Sequence, residues 1–413
     1  MTEMHDAIVI GGGPVGSFAA LILSKLGKKV TVFEEHHEIG IPNHCAGHLS
    51  INSLRHLGLY PLPRKIVENE FSVANFYSQD GFSFPVKLSK PVTCAVNREL
   101  FDKYIFNKAQ DAGAIFNLNS RVQSLIIQNG FVKGVKVNYN GSKKIFKSKI
   151  VFDAEGISSR LLKQTKLVPL NPKKLVFSVN AKVENIKNLQ SNSVDVYFGK
   201  DYAPGFYAWL IPTKDETAKI GLATNIGNPN DFLKKLMIKH PIASKYLSQA
   251  KIISKEFHSI PLGGPIPKLY LNGFMVLGDA ASLVKPTTGG GILFGLRSSI
   301  IAANIANMAI DNNNFSSDIL RLYQINYMNA FNFDFLVMLK IRAFLNSLSD
   351  NKFSKILRFC KRIGLNNSIR NVNEIDLQGR TLLKAILKPE VSITLFYLLA
   401  IYLQTFYIRH NIH

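Results

Sequence analysis

Apolar positions along the chain follow two rhythms. Ala7-Ile8-Val9-Ile10 is a continuous apolar run that ends on Gly11-Gly12-Gly13 and gives way to Pro14-Val15-Gly16-Ser17-Phe18-Ala19-Ala20. A short apolar run stopped by glycine reads as a buried strand, and proline followed by small and apolar residues reads as a helix start. That helix is expected to reach Leu26, where Gly27 stops it, and Val30-Thr31-Val32-Phe33 makes a second strand closing on Glu34 and Glu35. From Arg98 onward, Leu100, Ile105, Phe106 and Ala109 give a helical segment one apolar face, closed by Gly113. Alternation by two then takes over in 122–139 and 143–153, with Asn129-Gly130 as the hairpin turn.

After Pro169-Leu-Asn-Pro172 the pattern becomes strand-like in 175–183, 193–199, 205–212 and 217–224, with no helix-length periodic run between them. An antiparallel sheet domain over 169–268 is therefore expected. Strand-like stretches at 66–95 are open to assignment to either side. At 272–311 the pattern returns to strand, glycine-rich loop and helix; from 313 to 413 it is mostly helical, with breaks near Gly364 and Gly379. The expected fold class is α/β: a Rossmann-like domain assembled from 1–168 and 269–312, an inserted antiparallel sheet, and a helical C-terminal region.

Composition adds bounds. A chain of 413 residues can carry two or three domains. Lys+Arg 50 against Asp+Glu 28 leaves a net charge of +22, which attracts anions. The basic residues are scattered, with no zinc-finger, RNP-like or basic-aromatic cluster, so no nucleic-acid partner is expected, and an anionic membrane surface suits them at least as well. Cys45, Cys94 and Cys360 are far apart and form no CxxC, so neither a disulfide framework nor a metal site is expected. The first apolar run lacks a basic leader, and an intracellular chain is expected. Val391 to Ile408 is nearly all apolar or aromatic; as a helix it would extend about 27 Å, at the lower limit for a bilayer core, and its Ser, Thr and Gln suit an in-plane or subunit-packing helix equally well.

The N-terminal glycines carry the first chemistry. Gly11, Gly13 and Gly16, with Pro14 and Val15 between them, would let a pyrophosphate approach bare backbone at a helix N-terminus. Glu34 lies about 20 residues on, where a carboxylate can accept from a ribose diol, with Glu35 beside it. A dinucleotide site follows; the pattern alone leaves FAD and NAD both open.

Two further segments complete a sequence pattern. One is Val151-Phe152-Asp153-Ala154-Glu155-Gly156 running on to Ser159; the other is Gly278-Asp279 followed by Pro286 and by Gly289-Gly290-Gly291-Ile292. Together with the first glycines they resemble FAD-dependent oxidoreductases of the aromatic-hydroxylase-like group, and more closely the geranylgeranyl reductase family in its archaeal digeranylgeranylglycerophospholipid branch. Residues 5–310 carry the likeness. Pro42-Asn43-His44-Cys45-Ala46-Gly47 resembles the family's cysteine segment beside the flavin, and Tyr207, Trp209 and Pro212 match its aromatic signature. Ile211 and Thr213 stand where the family has Phe and Lys, and Asp-Ala-Glu-Gly replaces the commoner Asp-Gly.

The resemblance implies an FAD-binding domain in the separated segments and a substrate domain in the inserted sheet. It implies cofactor contacts at Cys45, Ala46, Gly47, Arg98, Val122, Asp153, Gly156, Gly278, Asp279, Pro286, Gly290, Gly291 and Ile292. It also implies a catalytic or alkene-positioning Cys45, a proton-relaying His44, and Tyr207 and Trp209 lining an isoprenoid slot. The implied activity is hydrogenation of isolated C=C bonds in geranylgeranyl chains of membrane lipids or their precursors. Electrons would come from an external donor, NAD(P)H, ferredoxin or another reduced carrier, and the enzyme would work at the cytoplasmic face of a membrane. An FAD monooxygenase acting on a hydrophobic substrate, or a non-catalytic electron-transfer flavoprotein, shares the same cofactor segments.

Overall fold

The computed structural model describes residues 4–139, 141–186, 189–214 and 216–410, with side chains through 403. They gather into two compact units, one from 1–43, 97–175 and 260–332, the other from 44–96, 176–259 and 333–413.

In the first unit the strand Met4–Ile10 lies between two parallel neighbours, Val30–Phe33 and Ser142–Asp153. Ala7, Ile8 and Val9 are fully buried, as a parallel strand covered on both faces requires. Ile115–Asn117 extends the sheet on one side and Phe274–Val276 on the other, both parallel to their neighbours. The strand Ser142–Asp153 serves twice. Its N-terminal half pairs with Phe131–Tyr139, which turns back to Arg121–Gln128, and its C-terminal half joins the parallel core. Asn129 and Gly130 have φ of 49° and 76°, the positive pair a tight primed turn needs.

The helix Pro14–Lys25 packs on Arg98–Asp111 and on Ile292–Asp311. Small residues set the closeness of the latter contact: a Cβ on Gly295 would lie 2.5 Å from Val15 Cγ2. Among the described residues Ile292–Asp311 is the one unbroken helix long and apolar enough to cross a membrane. Most of it is buried in this unit, so its apolarity is that of a core helix.

The second unit is built on a seven-stranded sheet in the order 251–261, 175–184, 218–224, 208–212, 193–197, 73–77, 83–87. Ser193–Tyr197 runs parallel to Val73–Tyr77, so the sheet is mixed where an antiparallel one was expected; of the strands in 66–95, Val73–Tyr77 and Ser83–Lys87 join it, while Val67–Phe71 and Thr93–Val96 form a separate three-stranded sheet of this unit with His48–Ser50. A second departure is the helix Pro229–Lys239 followed by Ala243–Leu247, in a region read as strands alone. Its buried stripe is only Leu233, Leu236 and Met237 among lysines, too short to stand out as a period; Asn228 caps it by accepting from Asn230 N–H at 2.9 Å. These helices cover one face of the sheet through Ala181, Ala208, Leu210, Ile220 and Leu222.

Helix Asp350–Arg362 and its neighbours pack on the hairpin 73–87 through Phe84, Leu348, Ile356, Leu357, Cys360 and Ile401, so the C-terminal helices share this unit's core. Gln378–Ala385 and Pro389–Leu403 meet at a bend of 114°. On the latter helix Val391, Thr394 and Ile401 are buried, while Ile393, Phe396, Leu399 and Leu403 are exposed. Side chains of 404–408, within the apolar segment read from sequence, lie outside the described residues.

Candidate functional site

The first unit presents backbone to a ligand. Gly11 has φ of +94°, and a Cβ there would fall 2.4 Å from the Ala154 carbonyl; one on Gly16 would fall 1.9 Å from the Gly11 carbonyl. Only glycine lets strand, turn and helix close this tightly. Gly13 differs, because a Cβ on it meets nothing within 4 Å. That open ground lies at the start of the helix from Pro14, whose Gly13 N-cap offers no side chain, so the first N–H groups face outward as an anion site requires. Glu34 is buried at the strand end beside it, where Oε2 accepts from Gly12 N–H at 2.6 Å and Oε1 from His36 N–H at 2.9 Å. Glu35 points elsewhere, to Arg121 at 3.1 Å and Arg160 at 3.4 Å.

Two acids, one buried and one partly accessible, flank the same ground. Asp153 ends its strand fully buried, and burial together with neighbouring Glu155 holds its carboxyl well above the usual range. Its Oδ1 accepts from Glu155 N–H at 3.1 Å, while Oδ2 is buried without a hydrogen-bond partner, as is Ser159 Oγ nearby in the chain. Gly156, at φ +67°, has open space where a side chain would be.

Asp279 lies against the start of helix Ile292–Asp311, since a Cβ on Gly291 would come 2.6 Å from its Oδ1. It is partly accessible yet ringed by protein, and burial pushes its carboxyl up to about 6 against the pull of Arg98. Gly278 and Gly295 close on Val15, and Pro286 sits buried in a loop tied by Gly289 N–H to the Lys285 carbonyl at 2.9 Å and by Lys285 N–H to the Gly290 carbonyl at 3.3 Å.

Arg98, expected near phosphate, is buried with its guanidinium forked on Asp102 at 3.1 and 2.9 Å. Val122 is buried in its strand opposite Val137. The open glycine turn, the capless helix starts and the orphaned oxygens of Asp153 and Ser159 fit an extended dinucleotide: N–H donors for a pyrophosphate, carboxyls for hydroxyls.

The second unit presents side chains. Tyr207 and Trp209 alternate with Ala208 and Leu210, which face the buried core, and so share the other, partly accessible face. The Trp209 indole lies over Gly221 of the adjacent strand, where a Cβ would be 2.4 Å from Cζ2, and its Nε1 donates to Asn180 Oδ1 at 3.4 Å. Phe206 stacks on Tyr207 at 4.4 Å, and Trp209 meets Tyr207 edge-on at 6.0 Å. Burial pushes the Tyr207 phenol up to about 12, with the Arg342 charge opposing.

Trp209 and Ala46 pack against one small core of Phe71, Ala95, Val194 and Ile211, which brings the Cys45 loop to the aromatic face. Cys45 is half-buried and its Sγ accepts from Gly47 N–H at 3.4 Å. His44 stacks on His258 at 5.0 Å and faces Glu256 at 3.9 Å. By contrast Cys94 is buried and pushed up to about 12, as an inert core thiol is.

Gly221, Asn180, Arg342 and His258 were missed in the sequence. Gly221 carried a readable signal, an isolated glycine inside a strand, which marks close approach. The others are far apart in the chain and share no local pattern.

Comparison with known proteins agrees with this geometry. A family profile described as "FAD binding domain" matches residues 4–306. Digeranylgeranylglycerophospholipid reductase from Methanocaldococcus jannaschii is 31% identical over 360 residues, covering 86% of this chain and 90% of its own. The protein of the same name from Methanococcus aeolicus is 31% identical over 358 residues, covering 85% and 89%. The crystal structure of a geranylgeranyl bacteriochlorophyll reductase-like protein from Thermoplasma acidophilum superposes with a TM-score of 0.85 at 27% identity, covering 96% of this chain and 99% of that one. A flavin-dependent brominase, at TM-score 0.67 and 17% identity, shares the fold alone. The chain therefore binds FAD and belongs to the geranylgeranyl reductase family of FAD-dependent oxidoreductases.

Proposed function

We propose that this enzyme hydrogenates isolated C=C bonds of geranylgeranyl chains in archaeal-type membrane lipids or their isoprenoid precursors. One observation carries the reading: a partly accessible aromatic face, Tyr207 and Trp209, lies on the same small core as the Cys45 loop, in a chain that binds FAD. Bound and reduced, FAD supplies a hydride at N5, while the second alkene carbon takes a proton.

An isolated alkene has no carbonyl to absorb developing charge, so the protein must stabilise positive character and keep water out. The faces of Trp209 and Tyr207 meet the first need by cation–π attraction, and their apolar bulk meets the second. Tyr207, its phenol pushed up to about 12, stays neutral at any working pH, so it is a weak proton donor and its part here is to line and orient the alkene. The Cys45 thiol, held by Gly47 N–H, is the second proton-bearing group, and His44 beside it links to Glu256.

Asp153, Gly156, Asp279 and the loop through Gly290-Gly291-Ile292 hold and orient the cofactor. Electrons come from an external reduced carrier; anaerobic titration with NADPH and with reduced ferredoxin distinguishes the two.

Chains this apolar stay in a bilayer, so the enzyme works from a membrane surface. The helix corner at 378–403 supports this, with Leu387 89% and Phe396 73% exposed among Lys384, Lys388 and Arg380. Coexpression with a geranylgeranyl-lipid pathway tests the function: lipids gain two mass units per bond reduced, and a Cys45→Ala variant yields fewer reduced bonds. Unsaturated lipid throughout, despite FAD-loaded enzyme, refutes it.

A further inference from the structure

The second unit contains a cleft away from the Cys45 loop, lined by aromatic and aliphatic side chains and by two cations, Lys200 and Arg342. Arg342 is only 7% exposed. Its guanidinium lies over the Phe206 ring at 4.3 Å, and Nη1 donates to the Gly205 carbonyl at 3.2 Å. Burial lowers its basicity to about 10, so it remains a cation at neutral pH. Asp350 also lines the cleft, with one carboxylate oxygen accepting from Lys200 N–H at 3.1 Å.

From the cleft an aromatic run leads away. Phe353 meets Phe198 at 4.6 Å, Phe198 meets Tyr207 at 5.8 Å, and Tyr207 meets Trp209 at 6.0 Å. Trp209 in turn rests on the small core that also carries Ala46. A charged post at one end of a greasy track, with the reactive loop at the other, matches a molecule with an anionic head and a long apolar tail.

We infer that the Lys200–Arg342 cleft is an anion subsite for the phosphate or diphosphate of the polyprenyl substrate, with the chain laid along Phe198, Tyr207 and Trp209 toward Cys45. The inference rests on the isoprenoid-reductase reading and deepens it.

The test uses FAD-loaded enzyme, reduced anaerobically, with three substrates: digeranylgeranylglycerol phosphate, geranylgeranyl diphosphate and geranylgeraniol. Arg342→Gln lowers kcat/KM for the phosphorylated substrates about tenfold relative to the alcohol, mostly through KM. Arg342→Lys restores part of that ratio. Lys200→Gln, at an exposed position that leaves the core intact, moves the ratio in the same direction by about threefold. Inorganic pyrophosphate competes with the phosphorylated substrates and not with geranylgeraniol. The variants that lose more with one phosphorylated substrate than with the other identify whether a lipid phosphate or a free diphosphate is held. Wild-type ratios in both Gln variants, or pyrophosphate competing against the alcohol as well, overturn the subsite. A wild-type enzyme that reduces none of the three overturns the isoprenoid reading itself.

Discussion

The two units present opposite kinds of surface. The first uses absence of side chains: Gly11, Gly13, Gly16 and Gly291 clear space for N–H groups and for the Asp279 carboxylate. The second uses bulk, with Trp209, Tyr207, Phe206 and Phe198 shaping an apolar face. At Gly11 and Gly16 substitution is barely tolerated, because a Cβ there collides with main chain that cannot move. Side-chain recognition is graded, because neighbouring rings can repack.

That contrast orders the expected effects. Gly16→Val is the most severe: its Cβ would sit 1.9 Å from the Gly11 carbonyl, and FAD affinity falls by roughly 100-fold or more, read as loss of flavin absorbance from purified protein. Retained, fully stoichiometric FAD would contradict a backbone cradle. Gly221→Val breaks the other unit selectively. Its Cβ would lie 2.4 Å from the indole and 2.5 Å from the Val179 carbonyl of the neighbouring strand, so the indole is displaced and this sheet strained, alkene turnover drops about tenfold or more, and FAD stays bound. Trp209 is the chain's one tryptophan, so a shift in its fluorescence reports the displacement directly. Equal loss of FAD and turnover would erase the distinction between the units. Glu34→Gln weakens a charge-assisted bond from Gly12 N–H and lowers FAD affinity about tenfold, measurable by equilibrium titration.

The difference in means also explains what could be read from the chain. Gly11 to Gly16, Glu34 and Asp279 are legible because backbone recognition needs glycines and acids at fixed local spacing. The aromatic signature at Tyr207 and Trp209 was legible through family resemblance, since alternation alone describes any sheet. Arg342 and Asn180 reach the same face from 130 and more residues away and from a separate strand, so tertiary folding alone brings them there. Arg98 shows what local spacing leaves out: a guanidinium at a helix start reads as a phosphate contact, and the fold adds Asp102, one turn along the same helix, which holds it in a fork. The helix Pro229–Lys239 was hidden because its buried stripe of Leu233, Leu236 and Met237 spans little more than one turn.

A smaller effect separates the units by pH. His240 in the second unit is buried against Tyr197 and Tyr202, its Nδ1 accepts from the N–H groups of Ile242 and Ala243 at 3.2 Å, and burial lowers it to about 4. The folded state thus binds fewer protons than the unfolded one between pH 6.5 and about 4. Its stabilising share is complete above that window and is lost as pH falls, roughly 1 kcal/mol by pH 5.5. Urea unfolding across the window shows the decline, and His240→Asn, which keeps an acceptor for the helix N–H groups, flattens it. An unchanged slope in the variant would assign the acid sensitivity elsewhere. Smallest of all, Phe396→Ser leaves turnover of detergent-dispersed substrate within about twofold and weakens binding to anionic vesicles several-fold in flotation.

The central claim is that electrons pass from reduced FAD into an isoprenoid double bond, and anaerobic single turnover tests it most directly. Enzyme with stoichiometric reduced FAD is mixed with digeranylgeranylglycerol phosphate, following flavin absorbance and then lipid mass. The account predicts that oxidised flavin returns only when lipid is present, and that each flavin reoxidised adds two mass units to the lipid. Flavin that stays reduced until air is admitted, with lipid then gaining sixteen mass units, would contradict it.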